Sequence, residues 1–163
     1  MHREWVSVFV GLGANLGEAR QTLDATVKAI GKLPHIRVLN CSSFYRSAPV
    51  DATGPDYINA VLHLETRLNA YEALKAFQSL ENMAGRVRPY RNAPRTLDID
   101  LLLFGDASIQ SPVLTVPHPR MRERAFVLKP LSELSPQRVS VQDLKSVQSQ
   151  AIEKLDASSS DDV

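Results

Sequence analysis

Two segments of helical spacing, each set between segments that alternate, constrain this chain more than any other feature. Residues 19–33 put Ala19, Leu23, Thr26/Val27, Ile30 and Leu33 on one helical face, and Pro34 stops the run. A second run after Asn69 places Leu74, Phe77, Leu80 and Ala84 at the same spacing and ends near Gly85. Asn69 and Glu72 form the reciprocal capping pair that opens such a helix. The flanking segments read as strands. Val6–Val10 is β-branched and apolar, 36–45 alternates loosely, and 57–68 alternates clearly, with Ile58, Ala60, Leu62 and Leu64 opposed to Asn59, Val61, His63 and Glu65. Residues 97–104 form a further strand whose second half is apolar on both faces, as a central strand is. Gly11 to Gly17 reads as a turn, 46–56 and 86–96 as loops, and 121–133 as a short helix.

The resulting order is β-α-β-β-α-β, followed by additions. It predicts an α+β, ferredoxin-like fold: an antiparallel sheet, both main helices on one face, and extra C-terminal strand and helix elements elsewhere. A length of 163 residues suits one domain, placed at 4–155, with a small, polar tail at 156–163 expected to be disordered.

Composition matters through what it excludes. A net charge of +1 gives no global field for a bulk nucleic-acid binder. A single cysteine, Cys41, makes neither an internal disulfide nor a thiolate metal site. The first residues lack signal-peptide order and no apolar run approaches the length of a membrane span. The expectation is a cytoplasmic monomer.

The strongest chemical signal is Thr96-Leu-Asp-Ile-Asp-Leu-Leu-Leu-Phe104. Strand alternation puts Asp98 and Asp100 on one face and Leu97, Ile99 and Leu101 on the other. Like charges side by side weaken a sheet, so something should offset them. A hard divalent cation fits, since Mg²⁺ is held by one or two carboxylates together with substrate phosphates. The competing reading, a solvated edge strand, sits poorly with the apolar run at 101–104. Near this pair, seven of the thirteen arginines fall within residues 86–124, against four acids. Any one of them reads as surface arginine; together, beside two aspartates, they suit a metal-bridged polyphosphate. A sheet-face RNA binder would instead want exposed aromatics on the central strand.

Other signals are weaker. His118, between Pro117 and Pro119, reads equally as a phosphate donor or a capped turn. The glycines at 11, 13 and 17 match no dinucleotide or P-loop spacing and read as tight packing of a turn. Gln78 and Glu81 share a helix face, for a ligand or for solvent. Tyr57 and Phe126 read locally as core.

With these residues in hand, the chain resembles the 6-hydroxymethyl-7,8-dihydropterin pyrophosphokinase family of folate biosynthesis. The matching strings are Gly11-Leu-Gly-Ala-Asn-Leu-Gly17, Ser42-Ser-Phe-Tyr-Arg46, Pro55-Asp-Tyr-Ile-Asn59, Glu81 through Gly85-Arg-Val-Arg88, Ala93-Pro-Arg-Thr-Leu-Asp-Ile-Asp100 and Val116-Pro-His-Pro-Arg-Met-Arg-Glu-Arg-Ala-Phe126. The resemblance implies transfer of pyrophosphate from ATP to the pterin hydroxymethyl group, with release of AMP. It implies that Asp98 and Asp100 hold two Mg²⁺ ions, and that Arg86 and Arg95 act on the phosphates, with Arg88 nearby. Gln78, Glu81, Thr115, His118 and Arg124 would join these three arginines in binding ATP. Tyr57 and Phe126 would sandwich the pterin ring, Asn59 would meet its polar edge, and the chain at Ser47, Ala48 and Val50 would help. Loops 46–56 and 86–95 would close over the substrates. The chain departs from some members at Ala48, Asn92, Ala93 and Pro119.

Overall fold

The computed structural model describes residues 3–15, 18–49, 54–85 and 97–156. Its first strand, β1 (Val6–Ala14), leads to helix α1 (Ala19–Gly31), which buries Leu23, Thr26 and Ile30 at the spacing the sequence predicts. Then come β2 (Ile36–Cys41), β3 (Tyr45–Ser47), β4 (Tyr57–Thr66), helix α2 (Ala70–Gly85) and β5 (Asp98–Phe104). The capping pair of α2 forms: Asn69 Oδ1 accepts the Glu72 N–H at 2.8 Å and Glu72 Oε1 accepts the Asn69 N–H at 2.9 Å.

The sheet order is β5-β1-β4, with β2 and β3 both antiparallel to β4 on its far side. Counting β2 and β3 as one interrupted strand, two strand–helix–strand units interleave, each with a strand of the other unit between its own two. That is the expected ferredoxin-like α+β arrangement. Both main helices bury their apolar faces against one side of the sheet, where Leu23, Ile30 and Phe77 pack on Val8, Val10, Leu12, Leu62, Leu64 and Ile99.

The C-terminal additions include β6 (Ile109–Gln110) and β7 (Thr115–Val116), which pair with each other. Helices α3 (Ala125–Leu134) and α4 (Val141–Ser146) follow, then β8 (Ile152–Lys154). Met121, Val127, Leu128 and Leu131 build a second cluster with Phe9, Val61, Leu102 and Leu103 on the opposite face. Strand β8 pairs with the outer edge of β3.

Three local expectations are corrected. Gly11 and Gly13 belong to β1, not to a turn, because β4 and β5 pair with them on both sides. The strand expected over 36–45 breaks at Ser42, where the Ser42 N–H donates to the Val61 C=O and the Val61 N–H donates to Ser42 Oγ, each at 2.9 Å. The side chain bridges the ladder there, and Arg46 and Ser47, expected in a loop, join β3. The helix expected at 121–133 is a single 3₁₀ turn at Met121–Glu123 followed by α3. Most of the expected tail, from residue 157 on, lies outside the described residues.

Candidate active site

The site grows from the middle of the sheet. In β1, Val8, Val10, Leu12 and Ala14 turn toward α1 and α2, which leaves Phe9, Gly11 and Gly13 on the other face. In register, Gly13 lies between Asn59 on β4 and Asp98 on β5, and Gly11 lies between Val61 and Asp100. The two aspartates therefore face a strand that offers no side chain beside them. The burial pattern of β5 confirms their common face: Asp98 and Asp100 are half-buried while Ile99 and Leu101 are buried below.

Two adjoining cavities result, and Asp98 and Asp100 line both. The first, about 270 Å³, has Gly11 and Gly13 as its floor. Tyr57 and Asn59 from β4 line it, as do Ala48 and Pro49 after β3, and Arg124, Phe126 and Val127 at the start of α3. Phe126 reaches this wall because α3 lies across the sheet's second face. The Arg124 guanidinium carbon sits 5.4 Å from the Phe126 ring centroid, within cation–π range. Asn59 is buried and its Oδ1 accepts the Ser47 hydroxyl at 2.6 Å. Ser47 thus holds the Asn59 amide from behind rather than lining the cavity.

The second cavity, about 430 Å³, collects Gln78 and Glu81 from α2, Thr115 from β7, and His118, together with the aspartates. Glu81 also accepts the Ile99 N–H at 2.7 Å, which pins the outer edge of β5 between the two aspartates. The His118 N–H donates to the Leu102 C=O at 2.9 Å, and Nδ1 accepts the Arg120 N–H at 3.2 Å. With Nδ1 an acceptor, the neutral ring carries its proton on Nε2. Burial lowers the His118 pKa; Asp100 opposes this, and Arg124 and Arg120 reinforce it.

Most of the residues expected at the site meet here. Tyr57 and Phe126, locally read as core, stand on the first cavity, and Gln78, Glu81, Thr115 and His118 on the second. Arg124, expected with the nucleotide, lines the first cavity. Arg86, Arg88, Arg95 and Val50 lie outside the described residues, as do Asn92 and Ala93. The sequence reading missed the floor, Gly11 and Gly13. Its signal was glycine at two-residue spacing opposite the Val8/Val10/Leu12 stripe, the same spacing as the aspartates.

The ferredoxin-like sheet thus carries an aromatic-lined cavity and a more polar one, and Asp98 and Asp100 line both. Residues 9–136 match the model of the 7,8-dihydro-6-hydroxymethylpterin-pyrophosphokinase family, and the chain belongs to that family. It is 45% identical over 130 residues to the 2-amino-4-hydroxy-6-hydroxymethyldihydropteridine pyrophosphokinase of Pseudomonas aeruginosa, covering 79% of this chain and 80% of that one. It is 42% identical over 131 residues to the protein of the same name in Haemophilus influenzae, covering 80% of this chain and 82% of that one. Among solved structures it superposes on a Plasmodium falciparum HPPK-DHPS with a TM-score of 0.68 at 13% identity. That match covers 83% of this chain and 41% of the longer protein, and shows the fold. The family transfers pyrophosphate from ATP to the hydroxymethyl group of the dihydropterin, giving the pterin diphosphate and AMP in folate biosynthesis.

Proposed function

We propose that this chain carries out that transfer at the two joined cavities. The pterin lies between Tyr57 and Phe126, and ATP lies along Gln78, Glu81, Thr115 and His118. The observation that carries the reading is that Asp98 and Asp100 line both cavities, so one pair of carboxylates reaches donor and acceptor together.

The donor set fits Mg²⁺. Asp98 and Asp100 offer hard oxygens on one strand face, and among the described residues no group of three or more His, Cys, Asp or Glu could hold a metal. Two carboxylates that leave coordination positions to phosphates and water suit Mg²⁺ rather than an all-protein cage. Asp98 and Asp100 would hold two such ions, which would offset phosphate charge when bound.

The rest falls to the chain's own side chains. Asn59, fixed by Ser47, meets the polar edge of the pterin, and the two rings set its plane. Neutral His118 donates from Nε2 to a phosphate oxygen without needing to ionise. Arg124 adds fixed charge beside the aspartates, and the family resemblance gives Arg86, Arg88 and Arg95 the same office. Holding the hydroxymethyl oxygen in line with the β-phosphorus supplies much of the rate. The same reading has the protein working as a cytoplasmic monomer without nucleic acid or membrane. No helix of the described residues is long and apolar enough to cross a membrane.

The test is direct. Protein incubated with ATP, Mg²⁺ and 6-hydroxymethyl-7,8-dihydropterin releases AMP and the pterin diphosphate. Release of ADP instead, or no nucleotide turnover by folded protein, overturns the reading.

A further inference from the structure

Glu133 stands near the end of α3, about two turns from Phe126. Its carboxylate takes two hydrogen bonds from one short segment of the sheet. Oε1 accepts the Ser43 N–H at 2.9 Å, and Oε2 accepts the Tyr45 hydroxyl. Ser43 lies in the break between β2 and β3, and Tyr45 is the first residue of β3. At the same break Ser42 ties the chain to Val61 of β4, which sets its position along the sheet. Glu133 sets its relation to the helix above.

From Tyr45 the chain runs straight into the first cavity. Tyr45, Arg46 and Ser47 pair with Asn59, Ile58 and Tyr57; Ser47 then holds Asn59, and Ala48 and Pro49 form part of the wall. At its other end, α3 supplies Phe126 and Val127 to the same cavity. One helix thus carries an aromatic wall on its first turn and, on its last, the carboxylate gripping the strand that leads to the Ala48–Pro49 wall.

Simple adhesion would not require this arrangement. Burial, followed by the Glu133 hydrogen bond and charge, raises the Tyr45 pKa. Burial, Asp24 and Glu133 together push the nearby Cys41 thiol up to about 11. Apolar side chains would bind helix to sheet without that charge. Hydrogen bonds add direction, and they fix separation more tightly than apolar contact does.

We propose that Glu133 is a positioning residue for the pterin: through Ser43 and Tyr45 it sets the separation between the Ala48–Pro49 wall and the Phe126 wall. The proposal rests on the reading that this cavity takes the pterin.

The test compares Tyr45→Phe, Glu133→Gln, the double variant and Phe126→Ala. Pterin binding is measured with a non-hydrolysable ATP analogue and Mg²⁺ present. KM is measured for each substrate, and circular dichroism and melting check the fold. Tyr45→Phe keeps the ring and removes only the hydroxyl, so it remains informative if Glu133→Gln fails to fold. Each single variant is expected to weaken pterin binding about tenfold, the scale of one hydrogen bond to a charged group. KM for ATP should stay within about twofold, and the double variant should be little worse than the worse single one, because both single variants alter the Glu133–Tyr45 hydrogen bond. Normal pterin affinity in Tyr45→Phe and Glu133→Gln, with affinity lost in Phe126→Ala, overturns the positioning role and leaves the pocket reading intact. Equal rises in KM for both substrates overturn it too, as general loosening. Normal affinity in Phe126→Ala overturns the pocket reading, and the proposal with it.

Discussion

Gly13 and Asn59 face each other across β1 and β4, and a Cβ added at position 13 would stand 3.2 Å from the Asn59 side-chain nitrogen. The same Cβ would lie 3.8 Å from the Tyr57 ring. Glycine there leaves the pocket floor bare and leaves room for the Asn59 amide. Gly13→Ala should fold, since β1 is extended, but it should displace the amide by a few tenths of an ångström. Pterin KM is expected to rise about tenfold, the equivalent of ~1.4 kcal/mol, with less effect on ATP. Steady-state kinetics with each substrate varied checks this. An unchanged pterin KM would show that Asn59 does not read the ring.

Asp98 and Asp100 share a strand face at two-residue spacing. Asp98→Asn or Asp100→Asn should lower turnover by roughly 10²-fold or more, the scale of losing one charge-stabilising group at a reacting centre. Asp100→Asn should not lower the melting temperature without ligands, because it removes a like-charge neighbour of Asp98. Wild-type protein should gain thermal stability from Mg²⁺ with an ATP analogue, and the variants should gain less. AMP release and melting curves give both readouts. A variant that keeps near-normal turnover contradicts the role given to that aspartate.

Two exposed caps make stability depend on pH. Glu72 lies below the usual glutamate range, chiefly through the Asn69 N–H and then through Arg3. Asp143 lies below the usual aspartate range, chiefly through the Ser140 N–H at the start of α4. A carboxylate lowered on folding contributes stability above its unfolded pKa, and that contribution is lost as pH falls through the folded pKa. The melting temperature is therefore expected to decline below about pH 5, and Glu72→Gln with Asp143→Asn should flatten the decline. Melting curves across the acid range measure this; an unaltered slope in the double variant counts against the caps.

Cys41, with its thiol pushed up to about 11 chiefly by burial, holds little thiolate at neutral or mildly alkaline pH. Its alkylation by iodoacetamide at pH 8 should be much slower than that of free cysteine and should become comparable in denaturant. Mass spectrometry follows both. Fast labelling of folded protein would show the thiol to be accessible and ionised.

Much of the site was legible because its causes are local. The Asp98/Asp100 face follows from the period of a strand, and the Asn69–Glu72 cap from the geometry of one helical turn. The β-α-β-β-α-β order of elements followed from the succession of periodicities. Other features had the opposite character. Gly11 and Gly13 read as a turn because glycine favours turns locally, and only their place between β4 and β5 makes them a strand and a pocket floor.

The amino-acid sequence alone determined the α+β order, the carboxylate pair and the family, since each is written in neighbouring residues or in strings of them. The tertiary structure alone decided that Arg124 lines the same cavity as Tyr57 and Phe126, and that Glu133 reaches Ser43 and Tyr45. Glu133 lies 90 positions from Ser43 and 88 from Tyr45, and Arg124 lies 67 from Tyr57. Phe126 and Glu133 meet their partners only because α3 packs across the sheet's second face, burying Val127, Leu128 and Leu131 against Phe9 and Val61. Hydrophobic burial of that helix, which is non-directional, is what brings the distant walls of the pocket together.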